Sequence, residues 1–167
     1  MIPPVFLFLL LLAVPAFAAS PNVGKEPDNF RGIPWGQEMQ NIKGIEKLGE
    51  EFNGHLWVCK RKDDKMHIGP AQLEGILYFF IDNKFAEVII STAGKANADL
   101  LLGTLRAAYG EGTRFEENTT WLFPSVSITY NFDQRADKAT VYYSYRSLRE
   151  QLNKTLEREQ RDGVKDL

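Results

Sequence analysis

The chain has 167 residues, with 20 Lys plus Arg against 22 Asp plus Glu, a formal net charge of −2, 44% hydrophobic residues and 12% aromatic residues. These proportions exclude a wholly disordered or fibrous chain, and the balanced total charge argues against a field that gathers nucleic acid or anionic membrane. Cys59 is the single cysteine, which excludes an internal disulfide framework and a Cys-based zinc site.

The first segment reads as an export signal. Val5 to Val14 is an apolar run, Pro15 breaks it, and Ala16-Phe17-Ala18 places small residues where a signal peptidase reads before cutting. The run is shorter than the roughly 20 residues of a membrane span. The expectation is a signal peptide over 1–18, an exported chain in the periplasm or secreted, and no stable membrane insertion after cleavage. A flexible leader is expected over 19–29, a single α+β domain over 30–146, and a C-terminal amphipathic helix and tail over 147–167.

Phe30-Arg31-Gly32-Ile33-Pro34-Trp35-Gly36 cannot be a regular helix, and its large apolar residues suit an extended segment anchored on a core. Met39, Ile42, Ile45 and Leu48 recur every three residues and predict a short helix from about Gln37. Strands follow over His55–Lys62, Gly75–Ile81 and Phe85–Ile90, the last two joined across Asp82-Asn83-Lys84. The clearest helix runs from Asn97, a suitable N-cap, to Tyr109, with Gly110 at its end. Thr120–Phe123 is a short strand. Val126, Ile128, Tyr130 and Phe132 alternate with polar residues, as a strand with one buried face requires. Ala139–Tyr145 repeats the pattern, and Ser147 with Glu150 forms a capping box for a last helix with Leu148, Leu152 and Leu156 on its stripe.

This order predicts an antiparallel sheet with helices on one face, and suggests a duplicated α-β-β-β unit, because Gly49-Glu50 and Gly110-Glu111 each follow a predicted helix.

The chemistry is sparse. The sequence has no G-x-S-x-G, no H-E-x-x-H and no phosphate-cradling glycine loop. His55, Cys59, Asp63, Asp64 and His67 form the one local cluster of reactive types. On a straight strand His55 and Cys59 share a face but lie roughly 13 Å apart, beyond the reach of a thiol–imidazole pair. No metal site and no cofactor are assigned. Lys60-Arg61-Lys62 meets Asp63-Asp64 at once and reads as a solvated charged turn, not a nucleic-acid patch. Among the many aromatics, Tyr142 alternates onto the outer face of its strand, and Trp57 lies on the His55/Cys59 face. These two are the candidate binding residues, since exposed aromatics on a sheet mark contact surfaces.

The segment from Phe30 to about Tyr145 resembles a group of uncharacterised exported bacterial proteins. The resemblance rests on the Phe30–Gly36 opening, on Ile68-Gly69 before a Tyr/Phe-rich strand, and on Tyr109-Gly110. In element order the chain also resembles the small helix-plus-sheet domains of outer-membrane assembly lipoproteins and of β-lactamase inhibitor proteins. That likeness implies a fold and carries no site. The resulting expectation is a non-enzymatic periplasmic binding or adaptor protein with a protein partner in the cell envelope. The alternatives are an inhibitor of an exported enzyme, and a small hydrolase using Asp63, Asp64, His67 or His55.

Overall fold

The computed structural model describes residues 24–164. The expected signal peptide and the first part of the leader lie outside the described residues. Two short strands, β1 (Asn29–Phe30) and β2 (Ile33–Pro34), pair with each other, and a single 3-10 turn follows at Met39–Asn41. Next come β3 (Ile45–Glu51), β4 (Leu56–Arg61), a second short pair β5 (His67–Ile68) and β6 (Ala71–Gln72), then β7 (Gly75–Ile81) and β8 (Lys84–Ala93). Helix α1 (Lys95–Tyr109) leads to β9 (Thr113–Phe115), β10 (Asn118–Leu122), β11 (Val126–Asp133), β12 (Lys138–Tyr145) and helix α2 (Arg146–Gly163). The fold is mixed α+β, built on one eight-stranded antiparallel sheet of order β3-β4-β7-β8-β12-β11-β10-β9.

Local chemistry explains the central strands. β7 reads Gly-Ile-Leu-Tyr-Phe-Phe-Ile, a run that suggests burial on both faces, but only Ile76, Tyr78 and Phe80 on one face, with Ile81 at the strand end, are buried, and Gly75, Leu77 and Phe79 on the other face are partly buried. Asp82 and Asn83 take φ of 47° and 65°, the left-handed pair of a tight hairpin turn. β8 and β12 meet in the middle of the sheet and join its two four-strand halves.

The segment predicted as a helix from Gln37 is the main correction to the element order. Only one 3-10 turn forms, because Gly44 adopts φ 77° and the chain turns there into β3, an edge strand. The three-residue spacing arises from that turn and from a bulge between Lys47 and Gly49, which leaves Leu48 53% exposed. The first half therefore does not open on a helix. What the two halves share is four strands of the main sheet followed by a helix.

The expectation of helices on one face is also corrected. Ala98, Leu101 and Leu105 of α1 are buried in a cluster with Val88, Ile90, Tyr130, Val141 and Tyr143. Leu148 and Leu152 of α2 are buried in a second cluster with Leu56, Ile81 and Ala86. Glu87 and Ser144, paired across β8 and β12, bond to each other, and Glu87 also binds Arg149 of α2. Their sequence neighbours Val88 and Tyr143 point the other way, towards α1, so the helices sandwich the sheet. A two-fold relating adjacent antiparallel strands stands perpendicular to the sheet and would place both helices on one side.

Two cap expectations also change. α1 starts after Gly94, and the Asn97 side chain instead accepts the Gln72 N–H and donates to the Ala93 carbonyl. α2 starts at Arg146 after Tyr145, with no side-chain cap from Ser147. Residues 24–29, where a flexible leader was expected, are tied to the sheet end. The Gly24 N–H donates to the Tyr109 carbonyl at 2.7 Å, and Glu26 accepts from the Ser125 and Val126 N–H groups at 2.7 and 3.0 Å.

Leu105 is 2% exposed, whereas Leu102 is only partly buried against the core. Leu105→Ala is therefore expected to cost about 2–5 kcal/mol, and Leu102→Ala clearly less. Urea melts check this. A loss below about 0.5 kcal/mol at Leu105 would mean that this helix face does not pack as described.

Candidate functional site

The sheet face on the α2 side is only partly covered by that helix. Beyond it, direct cross-strand pairing lines up Leu77, Ile89, Tyr142, Thr129, Thr120 and Thr113 in one continuous row. Directly paired residues share a face, so these side chains stand together. A second row beside it runs Gly75, Ser91, Thr140, Asn131, Asn118 and Phe115. Neither row contains a charged residue. Tyr142 stands in the first row, 47% exposed, with Leu122 and Phe115 exposed towards the far edge.

Polar groups on this face are partly satisfied within it. The Thr120 and Thr129 hydroxyls lie 3.4 Å apart, and the Asn131 amide donates to Asn118 Oδ1 at 3.1 Å. Charges appear at the margin, where they are paired. Lys60 meets Glu46 at 3.0 Å, Lys138 meets Glu74 at 3.4 Å, and Arg149 binds Glu87. An uncharged centre containing a tyrosine, within a charged rim, has features that protein–protein contact surfaces share.

The other residues singled out from the sequence fall elsewhere. Trp57 pairs with Phe80 on the α1 side of the sheet, is half-buried, and carries the Lys47 ammonium 3.5 Å above its ring. It is not part of the open face. Cys59 is fully buried on that same α1 side, and burial pushes its thiol pKa up. His55 precedes β4, and its ring reaches the α2 side. Nδ1 lies 2.8 Å from Asp82 Oδ1 and Nε2 lies 3.1 Å from Glu159 Oε1. His55 and Cys59 therefore do not share a face. The straight-strand expectation fails because His55 sits outside the strand, where its side chain follows the hairpin turn.

Asp64 is also committed. Its Oδ1 accepts from Arg31 Nη1 at 2.9 Å and its Oδ2 from the Tyr78 hydroxyl at 2.5 Å. Burial, and then this bond to Asp64, raise the Tyr78 hydroxyl pKa. His67 contributes its backbone carbonyl to Arg31 Nη2 at 2.9 Å. Asp63 occupies a turn at φ 59°. Among the described residues no group of three or more His, Cys, Asp or Glu is placed to hold a metal ion.

The His55 bridge ties the β7–β8 turn to the outer half of α2, with Gln151 donating to the other Asp82 oxygen at 3.0 Å. The Asp82 carboxylate, and more weakly Glu159, raise the His55 pKa above its usual 6.5. A raised folded-state value means that this contribution is complete below about pH 6.5 and fades as pH rises through the folded pKa. Amides of α2 near Glu159 should therefore exchange more slowly at low pH, after correction for intrinsic rates. His55→Gln should remove that difference. An unchanged difference in the variant would show that another group carries it.

Comparison with protein-family models, with curated proteins and with solved structures returns no match. Among the described residues no helix is long and apolar enough to cross a membrane. Sequence alternation places Tyr142 on an outer face, but the charge-free rows become visible only with the cross-strand register.

Proposed function

We propose that the chain is a non-enzymatic binding or adaptor protein of the bacterial cell envelope, and that a protein partner docks on the uncharged sheet face around Tyr142. The observation that carries this reading is the pair of charge-free rows spanning β7, β8, β12, β11, β10 and β9. A quarter of the chain is charged, so two adjoining rows without a charge mark a surface that is cheap to desolvate. Tyr142 adds a large, stiff side chain of the type that anchors contacts.

Export is supported by the Val5–Val14 run and Ala16-Phe17-Ala18. The resemblance of the Phe30–Gly36 opening to exported bacterial proteins points the same way. The hydrolase alternative draws little support, because the Asp64 carboxylate is held by Arg31 and Tyr78 and both His55 ring nitrogens face carboxylates.

Thr129 pairs with Tyr142 and lies half-buried in the row, so Thr129→Lys places a charge in its centre. Affinity capture from an envelope extract should recover one defined partner with the wild type. Thr129→Lys should lower recovery about tenfold or more, as expected when an unpaired charge enters a desolvated contact. Tyr142→Ala should weaken capture while changing stability by no more than about 0.5 kcal/mol, as expected at an exposed site. Alanine at His55, Cys59 and His67, each in a variant that folds, should leave capture intact. Full capture by Thr129→Lys, or loss of capture by the folded His and Cys variants, would overturn the reading.

A further inference from the structure

A cleft of about 760 Å³ opens where the β1–β2 turn, the approach to β3 and the turn after β4 converge. Its wall gathers Arg31, Lys43, Arg61, Lys62 and Lys65, with Asp63 and Asp64 as the carboxylates. Arg61, Lys62 and Lys65 lie close together in sequence, Arg31 and Lys43 are brought to them by the fold, and the chain as a whole is slightly acidic.

The internal bonds of the wall decide what charge is left over. Arg31 is locked to Asp64 and also donates to the Lys65 and His67 carbonyls at 2.6 and 2.9 Å. The second Asp64 oxygen is taken by Tyr78, so that pair has no charge to offer. Arg61 donates from Nη1 to the Arg31 carbonyl at 3.3 Å and has no ion-pair partner among the described residues. Lys43, Lys62 and Lys65 likewise have no ion-pair partner among the described residues. Four cations thus face the cleft against one remaining carboxylate, Asp63.

The backbone holds them there. The Lys62 N–H donates to the Gly44 carbonyl at 2.8 Å, which sets Lys43 beside Lys62, and Gly44 needs its positive φ of 77° for that turn. Arg31 is held at φ 51°, a conformation that a non-glycine residue keeps only when its surroundings fix it. Like charges gathered on a fixed frame are relieved by a bound anion. Ammonium groups act as point charges, and an arginine fork matches neighbouring oxygens, so together they suit a compact group with several anionic oxygens. A phosphate monoester or diphosphate supplies more charge in that space than a lone carboxylate. The cleft volume falls in the range of small-molecule sites, roughly 300–1,000 Å³, and leaves room for the body of such a ligand beside Ile68.

We propose that this cleft binds a phosphorylated ligand, held by Lys43, Arg61, Lys62 and Lys65. The inference is independent of the sheet-face reading, since it uses none of those residues.

The test is calorimetric titration of the folded chain with inorganic phosphate, pyrophosphate, glycerol phosphate and acetate, together with co-sedimentation with vesicles of phosphatidic acid in phosphatidylcholine. Binding of a soluble phosphate one-to-one, about tenfold or more tighter than acetate, supports the proposal and assigns a free phosphate compound. Binding only to the phosphatidic acid vesicles, and not to pure phosphatidylcholine, supports it and assigns a lipid headgroup. In either arm the Lys43→Ala/Lys62→Ala/Lys65→Ala variant should lose about tenfold or more, and affinity should fall between 50 and 200 mM salt. Lys95→Ala, which removes a cation paired with Asp99 on α1, should bind as the wild type. Failure of every phosphate and vesicle to bind above acetate would overturn the proposal. So would unchanged binding by the triple variant with a wild-type melt.

Discussion

Trp121→Ala is expected to lower stability by about 3–5 kcal/mol, the upper range for truncating a buried side chain. Trp121 is fully buried, and its Nε1–H donates to the Gly110 carbonyl at 2.7 Å. The ring also fills the space in which Gly112, at φ 71°, would place a Cβ, 2.8 Å from the indole. Tyr109 meets the same ring edge-on at 6.4 Å. One side chain thus fastens the end of α1 to β10 and fixes the turn into the edge strand β9. Trp121→Phe keeps most of the apolar area but leaves the Gly110 carbonyl without this donor, so it should cost less, about 1–3 kcal/mol. Urea unfolding followed by circular dichroism separates the two. A loss below about 1 kcal/mol for Trp121→Ala would contradict the packing described.

Asp64→Ala is the second large effect, at about 3–5 kcal/mol, because it leaves the Arg31 guanidinium without its carboxylate and the Tyr78 hydroxyl without its acceptor. The Asp64 side chain is 10% exposed and Arg31 19%, so solvent screens the pair only weakly. Arg31→Ala removes the opposite partner and, with it, the donors to the Lys65 and His67 carbonyls. The double variant should then cost clearly less than the two single losses combined, with a coupling above about 0.5 kcal/mol. Asp64→Asn should lie between wild type and Asp64→Ala, since its side-chain oxygen can still accept from Tyr78. Additive losses in the double variant would show that the ion pair does not hold this corner together.

Where the structure follows local chemistry, the sequence is legible. The apolar run of β7, the Asp82-Asn83 turn and the alternation of β11 and β12 all appear close to their expected bounds, although one face of β7 is only partly buried. Where long-range pairing decides, it is not. Ile45–Leu48 carries a spacing that a helix and a turn-plus-bulged strand both satisfy, and the conformation of Gly44 selects the strand. The placement of α1 and α2 on opposite faces depends on which alternate residues of β8 each helix meets, which a list of elements does not encode.

The sites follow the same division. Alternation within β12 exposes Tyr142, but only the register of β8, β11 and β10 against it reveals that its neighbours carry no charge. Lys60-Arg61-Lys62-Asp63-Asp64 reads locally as a solvated charged turn. Folding withdraws Asp64 to Arg31 and Tyr78 and brings Lys43 alongside Lys62, which turns the same stretch into one wall of a basic cleft. Trp57 looked equivalent to Tyr142 as a strand aromatic, yet it faces the α1 side beneath Lys47.

The proposed docking of a protein partner on the charge-free sheet face is open to a direct test. A photo-activated cross-linking residue placed at Tyr142, with a control at the exposed Ala107 of α1, tests it inside the cells that make the chain. One discrete heavier adduct is expected from position 142, absent from position 107 and suppressed by Thr129→Lys. No adduct at 142, or the same adducts at both positions, would contradict it.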